Sequence, residues 1–348
     1  MNLPEVYFMI RQDQEGDRKN MRFYLAPMEG ITGYIYRNAL YSCYNNIDKY
    51  FTPFIMPNQN RCFNSRELKD VLPEHNRGMY TVPQILTNNA EDFVKTAREL
   101  QKMGYEEVNL NLGCPSRTVV TKMRGAGFLG EQKLLGKFLD EIFDGVGLKL
   151  SVKTRIGMEE AEEFYELIEI YNRYPMEELI IHPRLQTDYY KNKPNLDVFA
   201  DALSLSRNRI CYNGDIFTKK DYEAFTARFP QVETVMLGRG MLTDPDLAGH
   251  IAKGTLPDKE RFRRFHDILC EEYENVMSGD RNVLFKMKEL WFYMIHMFPD
   301  SAKYAKKIKK AQHLGEYRAA VDALFRDREL QMPGGKVSLI RLGAVDMT

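Results

Sequence analysis

The chain carries no excess charge of either sign: Lys and Arg together number 49, and so do Asp and Glu. Any grip on nucleic acid must therefore come from local patches, because the global field supplies no steering. Long apolar runs are also missing. The longest are strand-sized, well short of the roughly 18 residues that a membrane-spanning helix needs, and no membrane attachment is expected. The first twenty residues have no cationic segment followed by an apolar stretch, so a secretory signal is not expected either. Cysteine is sparse. Cys43, Cys62, Cys114, Cys211 and Cys270 are scattered, odd in number and free of C-x-x-C spacing, which argues against a disulfide framework and a zinc site. These absences point to a cytoplasmic protein without structural metal, expected to act as a monomer with no obligatory protein partner.

What is present is an ordinary globular composition, 44% hydrophobic and 28% charged over 348 residues, long enough for one large domain and a small one. Residues 1–20 become polar towards their end and are read as an N-terminal extension. From Met21 onward, short apolar or β-branched runs alternate with amphipathic stretches. Strands are predicted at 22–25, 49–55, 80–86, 106–112, 148–154, 178–182, 209–213 and 233–237, and helices between them include 90–103, 131–144, 159–173 and 219–229. The spacing, roughly 25 to 40 residues per unit, is that of a βα repeat. Eight such units predict an α/β fold, a (β/α)8 TIM barrel over 21–245. After about Thr243 the alternation stops. Residues 258–278, 281–298 and 301–330 read as three or four amphipathic helices, with breaks near Gly279 and Pro299. They predict a small all-α helical domain at 246–332, followed by a tail at 333–348.

The most informative stretch runs from Val108 to Gly130, VNLNLGCPSRTVVTKMRGAGFLG. It sets one thiol, Cys114, at the exit of a strand, ahead of a loop with Lys122 and Arg124. Positive surroundings and partial exposure are what a reactive cysteine needs; taken alone, the segment fits a structural strand-end cysteine equally well. Gly125, Gly127 and Gly130 spell G-x-G-x-x-G, but a Cys-Pro loop separates them from the preceding strand. The dinucleotide reading is therefore rejected in favour of a loop packed close to a ligand or to backbone.

In a barrel of this kind, functional residues sit at the C-terminal strand ends. Those ends carry Ala26-Pro27-Met28-Glu29-Gly30, Gln84, Asn109, Asn111, Cys114, Lys153, Arg155, His182, Arg184, Asn213-Gly214-Asp215 and Gly238-Arg239-Gly240. Any one of them has a bland explanation, such as a satisfied core histidine for His182 or a turn for Asn213-Gly214-Asp215. Together they suggest a ligand across the barrel mouth, because polar side chains inside strands are costly without partners. Gly214, Gly238 and Arg239 suit a phosphate, and Lys153 and Gln84 suit the far end of a planar cofactor. FMN fits that set better than a nucleotide sugar or pyridoxal phosphate.

At this point the motifs LAPMEG (25–30), PQI (83–85), NLGCP (111–115), K-x-RGAG (122–127), VKTRIG (152–157), IHPR (181–184), NGD (213–215) and LGRG (237–240) resemble those of the tRNA-dihydrouridine synthases. They cover about residues 22–245, in order. The resemblance implies an FMN-dependent barrel with a helical domain that reduces uridine in tRNA to 5,6-dihydrouridine. NADPH would be the reductant, with hydride from flavin N5 to C6 of uracil and a proton from Cys114 to C5. It further implies that Pro27, Met28, Gln84, Lys153, His182, Asn213, Gly214, Asp215, Gly238 and Arg239 hold FMN, with Glu29 grouped beside them. Asn111, Lys122 and Arg155, with Arg184, would contact the uridine or its phosphates. Ser116-Arg117-Thr118 and Met123-Arg124 depart from the usual pattern and weaken assignment to a subgroup. The alternatives are a small-molecule FMN reductase of the dihydropyrimidine or dihydroorotate type, which has no need of a basic helical domain, and the same chemistry on ribosomal RNA. A silent RNA-binding barrel is disfavoured by the intact Cys114, Lys153 and Arg239.

The target base cannot be reached inside stacked RNA, so it must be flipped into the mouth. The helical domain is read as the grip on the surrounding RNA. Lys303, Lys306, Lys307 and Lys310 share one helix face, and Lys286 and Lys288 lie on the preceding helix near Trp291.

Overall fold

The computed structural model describes residues 21–333; the predicted extension at 1–20 and most of the predicted tail lie outside these. Nine parallel strands form one sheet: β1 (Arg22–Leu25), β2 (Lys49–Phe51), β3 (Thr81–Val82), β4 (Gln84–Ile85), β5 (Glu107–Leu112), β6 (Lys149–Thr154), β7 (Leu179–Ile181), β8 (Ile210–Asn213) and β9 (Thr234–Leu237). The order is β3-β2-β1-β9-β8-β7-β6-β5-β4. Its two ends are halves of one strand, interrupted at Pro83, so the sheet closes on itself. Proline has no N–H to give the ladder. The Pro83 carbonyl still accepts from the Asn109 amide at 2.9 Å, and β4 pairs with β5 at Gln84–Asn109. The eight predicted strands are therefore the eight staves of a barrel, the third broken in two. The second is shorter than predicted because Pro53 ends it, although Ile55 returns to bridge Ile85.

Alternation along the strands sorts the side chains. Tyr24, Ala26, Phe51, Val82, Ile180, Cys211 and Met236 cluster inside the barrel, while neighbours such as Phe23 and Leu25 join the larger core beneath the outer helices. The N-terminal end of the barrel is plugged by charge pairs that reach across it. Lys49 Nζ lies 2.7 Å from Glu107 Oε2, and the Tyr24 hydroxyl donates to Glu178 at 3.1 Å. Any ligand must enter from the opposite, C-terminal mouth.

The outer helices start where local chemistry favours it. Asn89 accepts from the Asp92 amide at the head of Ala90–Lys102, and capping boxes open Ser65–Val71 (Asn64 with Glu67) and Lys219–Arg228 (Thr218 with Asp221). Each such cap contributes about 1 kcal/mol. Gly254, at φ +64°, ends Leu247–Lys253 in the left-handed conformation that glycine adopts without strain.

Beyond Gly254 come four helices, Lys259–Val276, Asp280–Met294, Ala302–Lys310 and Leu314–Asp327, with one 3-10 turn at Ile295–Met297. The stretch predicted at 301–330 is thus two helices. Their core is aromatic, with Phe262, Phe298 and Phe325 in mutual contact. Tyr317 ties it together, its hydroxyl 2.7 Å from Trp291 Nε1 and 2.6 Å from His266 Nε2. The region is seated on the barrel through Phe265, which takes Tyr36 and Tyr44 edge-on at 5.7 Å each.

Candidate active site

The strand ends named from the sequence converge on the C-terminal mouth. A ladder of amides crosses three neighbouring strands there. Ser151 Oγ accepts from Asn109 Nδ2 at 3.0 Å, Asn109 Oδ1 from Gln84 Nε2 at 2.7 Å, and Gln84 Oε1 from Asn111 Nδ2 at 2.7 Å. Asn111 Oδ1 in turn accepts from the backbone amides of Gly113 and Cys114, at 3.0 Å each. The ladder fixes the turn on which Cys114 sits. The glycine segment packs behind it: the Ala126 amide donates to the Cys114 carbonyl, and a Cβ on Gly125 would fall 2.9 Å from that oxygen. One on Gly127 would fall 2.6 Å from the Val120 carbonyl. These glycines form a 3-10 turn, Gly125–Gly130, whose close approach is to backbone.

Burial pushes the Cys114 thiol above its ordinary pKa and Glu29 adds to this, while the Ser116 amide, Arg155 and Lys153 oppose it. The thiol is therefore protonated at neutral pH. The cations that act on it are Arg155 and Lys153, rather than the Lys122 and Arg124 that its sequence neighbourhood suggested. Lys122 is exposed with no partner for its ammonium among the described residues, and Arg124 is turned to Asn88.

Arg155 is buried and fully engaged with backbone. It donates to the carbonyls of Gly113, Leu185 and Tyr189 at 2.9, 2.7 and 2.8 Å, pinning the Cys114 turn to the loop after β7. Arg184 is likewise spent inside the mouth: Nη1 donates to His182 Nε2 at 2.7 Å and Nη2 to Asp215 at 2.5 Å. Asp215 also receives Arg239 at 2.8 Å. Because Nε2 of His182 accepts from a guanidinium, its ring proton belongs on Nδ1. Burial and the four cations Arg155, Lys153, Arg184 and Arg239 hold this imidazole neutral. Asn213 donates to the Met236 carbonyl at 2.8 Å. A Cβ on Gly214 would lie 2.0 Å from the Tyr212 hydroxyl oxygen, so any side chain there would displace that ring. A Cβ on Gly238 would point at Ala26 and Met28, at 3.4 and 3.8 Å, into the cleft between the loops after β9 and β1. Pro27 and Met28 line that cleft, half-buried.

Lys153 stands apart. Its ammonium has no hydrogen bond or ion pair among the described residues, and burial, followed by Arg155, lowers its pKa to about 8. Glu29 is the reverse case: one oxygen is paired with Arg66 and the other is buried without a partner among the described residues. Burial raises its pKa.

Of the proposed RNA contacts, Lys303, Lys306, Lys307 and Lys310 are exposed on Ala302–Lys310, with Tyr304 and Ile308 buried behind them. Lys288 is a staple, its ammonium 2.5 Å from the Ala311 carbonyl. Lys286 reaches the mouth itself, 2.7 Å from the Gly30 carbonyl. Trp291 is core. Sequence reasoning missed Arg66 and Tyr190. The Tyr190 ring lies 5.4 Å from the Arg155 guanidinium and 4.9 Å from that of Arg239. Nothing local marks it, because the contact is made across loops. Among the described residues there is no group of three or more His, Cys, Asp and Glu placed to hold a metal, and no helix long and apolar enough to cross a membrane.

Residues 24–329 match the family model described as dihydrouridine synthase. The tRNA-dihydrouridine(16) synthase of Vibrio vulnificus is 25% identical over 332 residues, covering 87% of this chain and 99% of the relative. The tRNA-dihydrouridine(16) synthase of Pseudomonas putida is 28% identical over 257 residues, covering 72% and 79%. Among solved structures, histamine dehydrogenase from a Rhizobium species aligns with a TM-score of 0.52 at 12% identity, covering 80% of this chain and 51% of that chain. That likeness is one of fold.

Proposed function

The chain belongs to the dihydrouridine synthase family, and from that premise we propose that it is an FMN-dependent oxidoreductase that reduces uridine in tRNA to 5,6-dihydrouridine, with NADPH as the electron donor. The observation that carries the reading is the Cys114 thiol, held on its turn by Asn111, in the same mouth as a half-buried ammonium, Lys153, that has no partner among the described residues.

The residues present fit FMN. Four cations ring His182, and the only carboxylate ion-paired with any of them among the described residues is Asp215, so the mouth favours an anion. Arg239, the Nδ1–H of His182 and the bare backbone of Gly214 and Gly238 suit the phosphate, with Asn213 and Asp215 fixing their loops. Lys153 suits the polar edge of the ring system, Gln84 lies behind it in the amide ladder rather than open to it, and Pro27, Met28 and Glu29 border it. Bound there, FMN supplies the hydride that adds to C6 of the uracil.

The chain's own part is to hold and protonate the base. Cys114 donates its proton to C5, and its raised pKa keeps that proton available through neutral pH. The amide ladder and Arg155 hold the thiol in place. Arg155 and Arg184, whose guanidiniums are committed, act as positioning residues, as does Asn111 through the ladder, while the exposed Lys122 is left for the RNA. Access requires the base to leave its stack, and the lysine face of Ala302–Lys310 supplies phosphate contacts for the surrounding RNA.

The test is direct. The purified protein should be yellow and release FMN, lose much of it on Arg239→Ala, and with NADPH add two hydrogens to specific uridines of tRNA from a deletion strain. A colourless protein that takes up no added FMN would overturn the proposal. Reduction of a free pyrimidine with tRNA untouched would favour the small-molecule alternative.

A further inference from the structure

We propose that helix Asp280–Met294 forms a wall of the barrel mouth and offers Phe285 as a stacking surface for the unpaired nucleobase beside the target uridine. This rests on the RNA-modifying reading above and adds a base contact to it.

The placement follows from contacts at both ends of the helix. Lys286 Nζ is 2.7 Å from the carbonyl of Gly30, in the loop that leaves β1, and 3.1 Å from Glu289. The Phe285 ring centroid is 5.6 Å from the same ammonium, so the ring stands at the lip, on the side of the Gly30 loop. Two turns further on, Tyr293 is near enough to Arg239 and Tyr190 for both to act on its hydroxyl. The helix therefore runs along the rim from the loop after β1 to the loop after β9.

On this helix Val283, Leu284, Met287, Leu290 and Trp291 are buried, yet Phe285 is 67% exposed. A single exposed aromatic is unremarkable on a surface; one at the edge of a cationic mouth is different. Phe292 follows seven residues later on the same face, 38% exposed, and Arg281 lies one turn before Phe285, also exposed. An aromatic face interleaved with cations fits single-stranded nucleic acid, because every base has a π-face and each phosphate seeks a cation. The chemistry also demands such a surface. When one base enters the barrel, its neighbour loses a stacking partner, and a ring at the lip replaces it.

The test uses the full-length holoprotein. Phe285→Ala should weaken tRNA affinity by about 5- to 160-fold while flavin content and NADPH oxidation stay at wild-type values. Phe285→Trp should restore affinity and show quenched emission on tRNA addition. Trp291, the single tryptophan of the chain, is buried and bonded to Tyr317, so the same titration of wild type should stay flat. Unchanged affinity in F285A, or unquenched emission in F285W, with wild type still modifying tRNA, would overturn this inference alone and leave the face to a protein partner. A wild-type protein that neither binds nor modifies tRNA would overturn the functional reading and this inference with it.

Discussion

Replacing Asn111 by Leu cuts the amide ladder where it meets the thiol. Three groups lose their partner: the amides of Gly113 and Cys114, each 3.0 Å from Asn111 Oδ1, and Gln84 Oε1, 2.7 Å from Asn111 Nδ2. An unsatisfied buried polar group costs about 1–3 kcal/mol. The two amides are half-buried and belong at the low end, while Gln84 is fully buried, so the loss should be about 3–5 kcal/mol. The Cys114 turn would also relax. A misplacement of about 1 Å can cost on the order of 10²-fold in rate, so dihydrouridine formation in single turnover should fall by that much while flavin reduction by NADPH proceeds normally. Asn111→Asp is the control, because its carboxylate still accepts from both backbone amides. Gln84 and Asn109 can then turn their amides in register, since the chain ends on Ser151, whose hydroxyl can donate as well as accept. Denaturant titration should place that variant well above N111L, below wild type by the cost of burying one carboxylate. An N111L protein as stable and as fast as wild type would refute the reasoning.

Cys114→Ala should leave flavin reduction intact and slow product formation on the order of 10²–10⁴-fold; a wild-type rate on tRNA would make the thiol structural. For Lys153, a pKa of about 8 in the free protein makes the ammonium complete only below that pH. If FMN favours the charged form, the bound pKa is higher. Affinity should then be flat below pH about 8 and fall by up to tenfold per unit above it, and Lys153→Met should abolish the slope; a pH-independent wild type would count against the contact. Changing Lys303, Lys306, Lys307 and Lys310 together to Glu should weaken tRNA binding and reduce its salt slope by roughly 0.7–0.9 per lost contact, with flavin content unchanged. An unaltered slope would move the RNA contacts elsewhere.

The barrel was legible because βα periodicity is a local property of the chain: apolar runs of strand length, punctuated by glycine and proline, occur whatever the distant packing. Even so, Pro53 and Pro83 cut two strands shorter than their apolar composition implied, since a missing N–H outweighs propensity. The convergence of the polar strand ends was equally legible, because a (β/α)8 barrel aligns every strand end with one mouth. Lys122 and Arg124 were credited with polarising Cys114 through proximity in sequence; in the fold, that part falls to Arg155 and Lys153, which come from the next strand. Lys288 shows the same limit, a helix-face lysine that folding spends on the Ala311 carbonyl.

From sequence alone came the repeat, the mouth residues, the strand-end thiol of Cys114 and the lysine face, all carried by residue type and spacing along one element. Which cations are already paired was decided only in three dimensions. Arg155 is consumed by three carbonyls and Arg184 by His182 and Asp215, while Lys153 has no partner among the described residues. The position of Phe285 at the lip was also decided there, by a helix more than 250 residues from the loop it touches. Pairing and exposure depend on which distant segments the closed barrel brings within a few ångströms, and no local pattern encodes that distance.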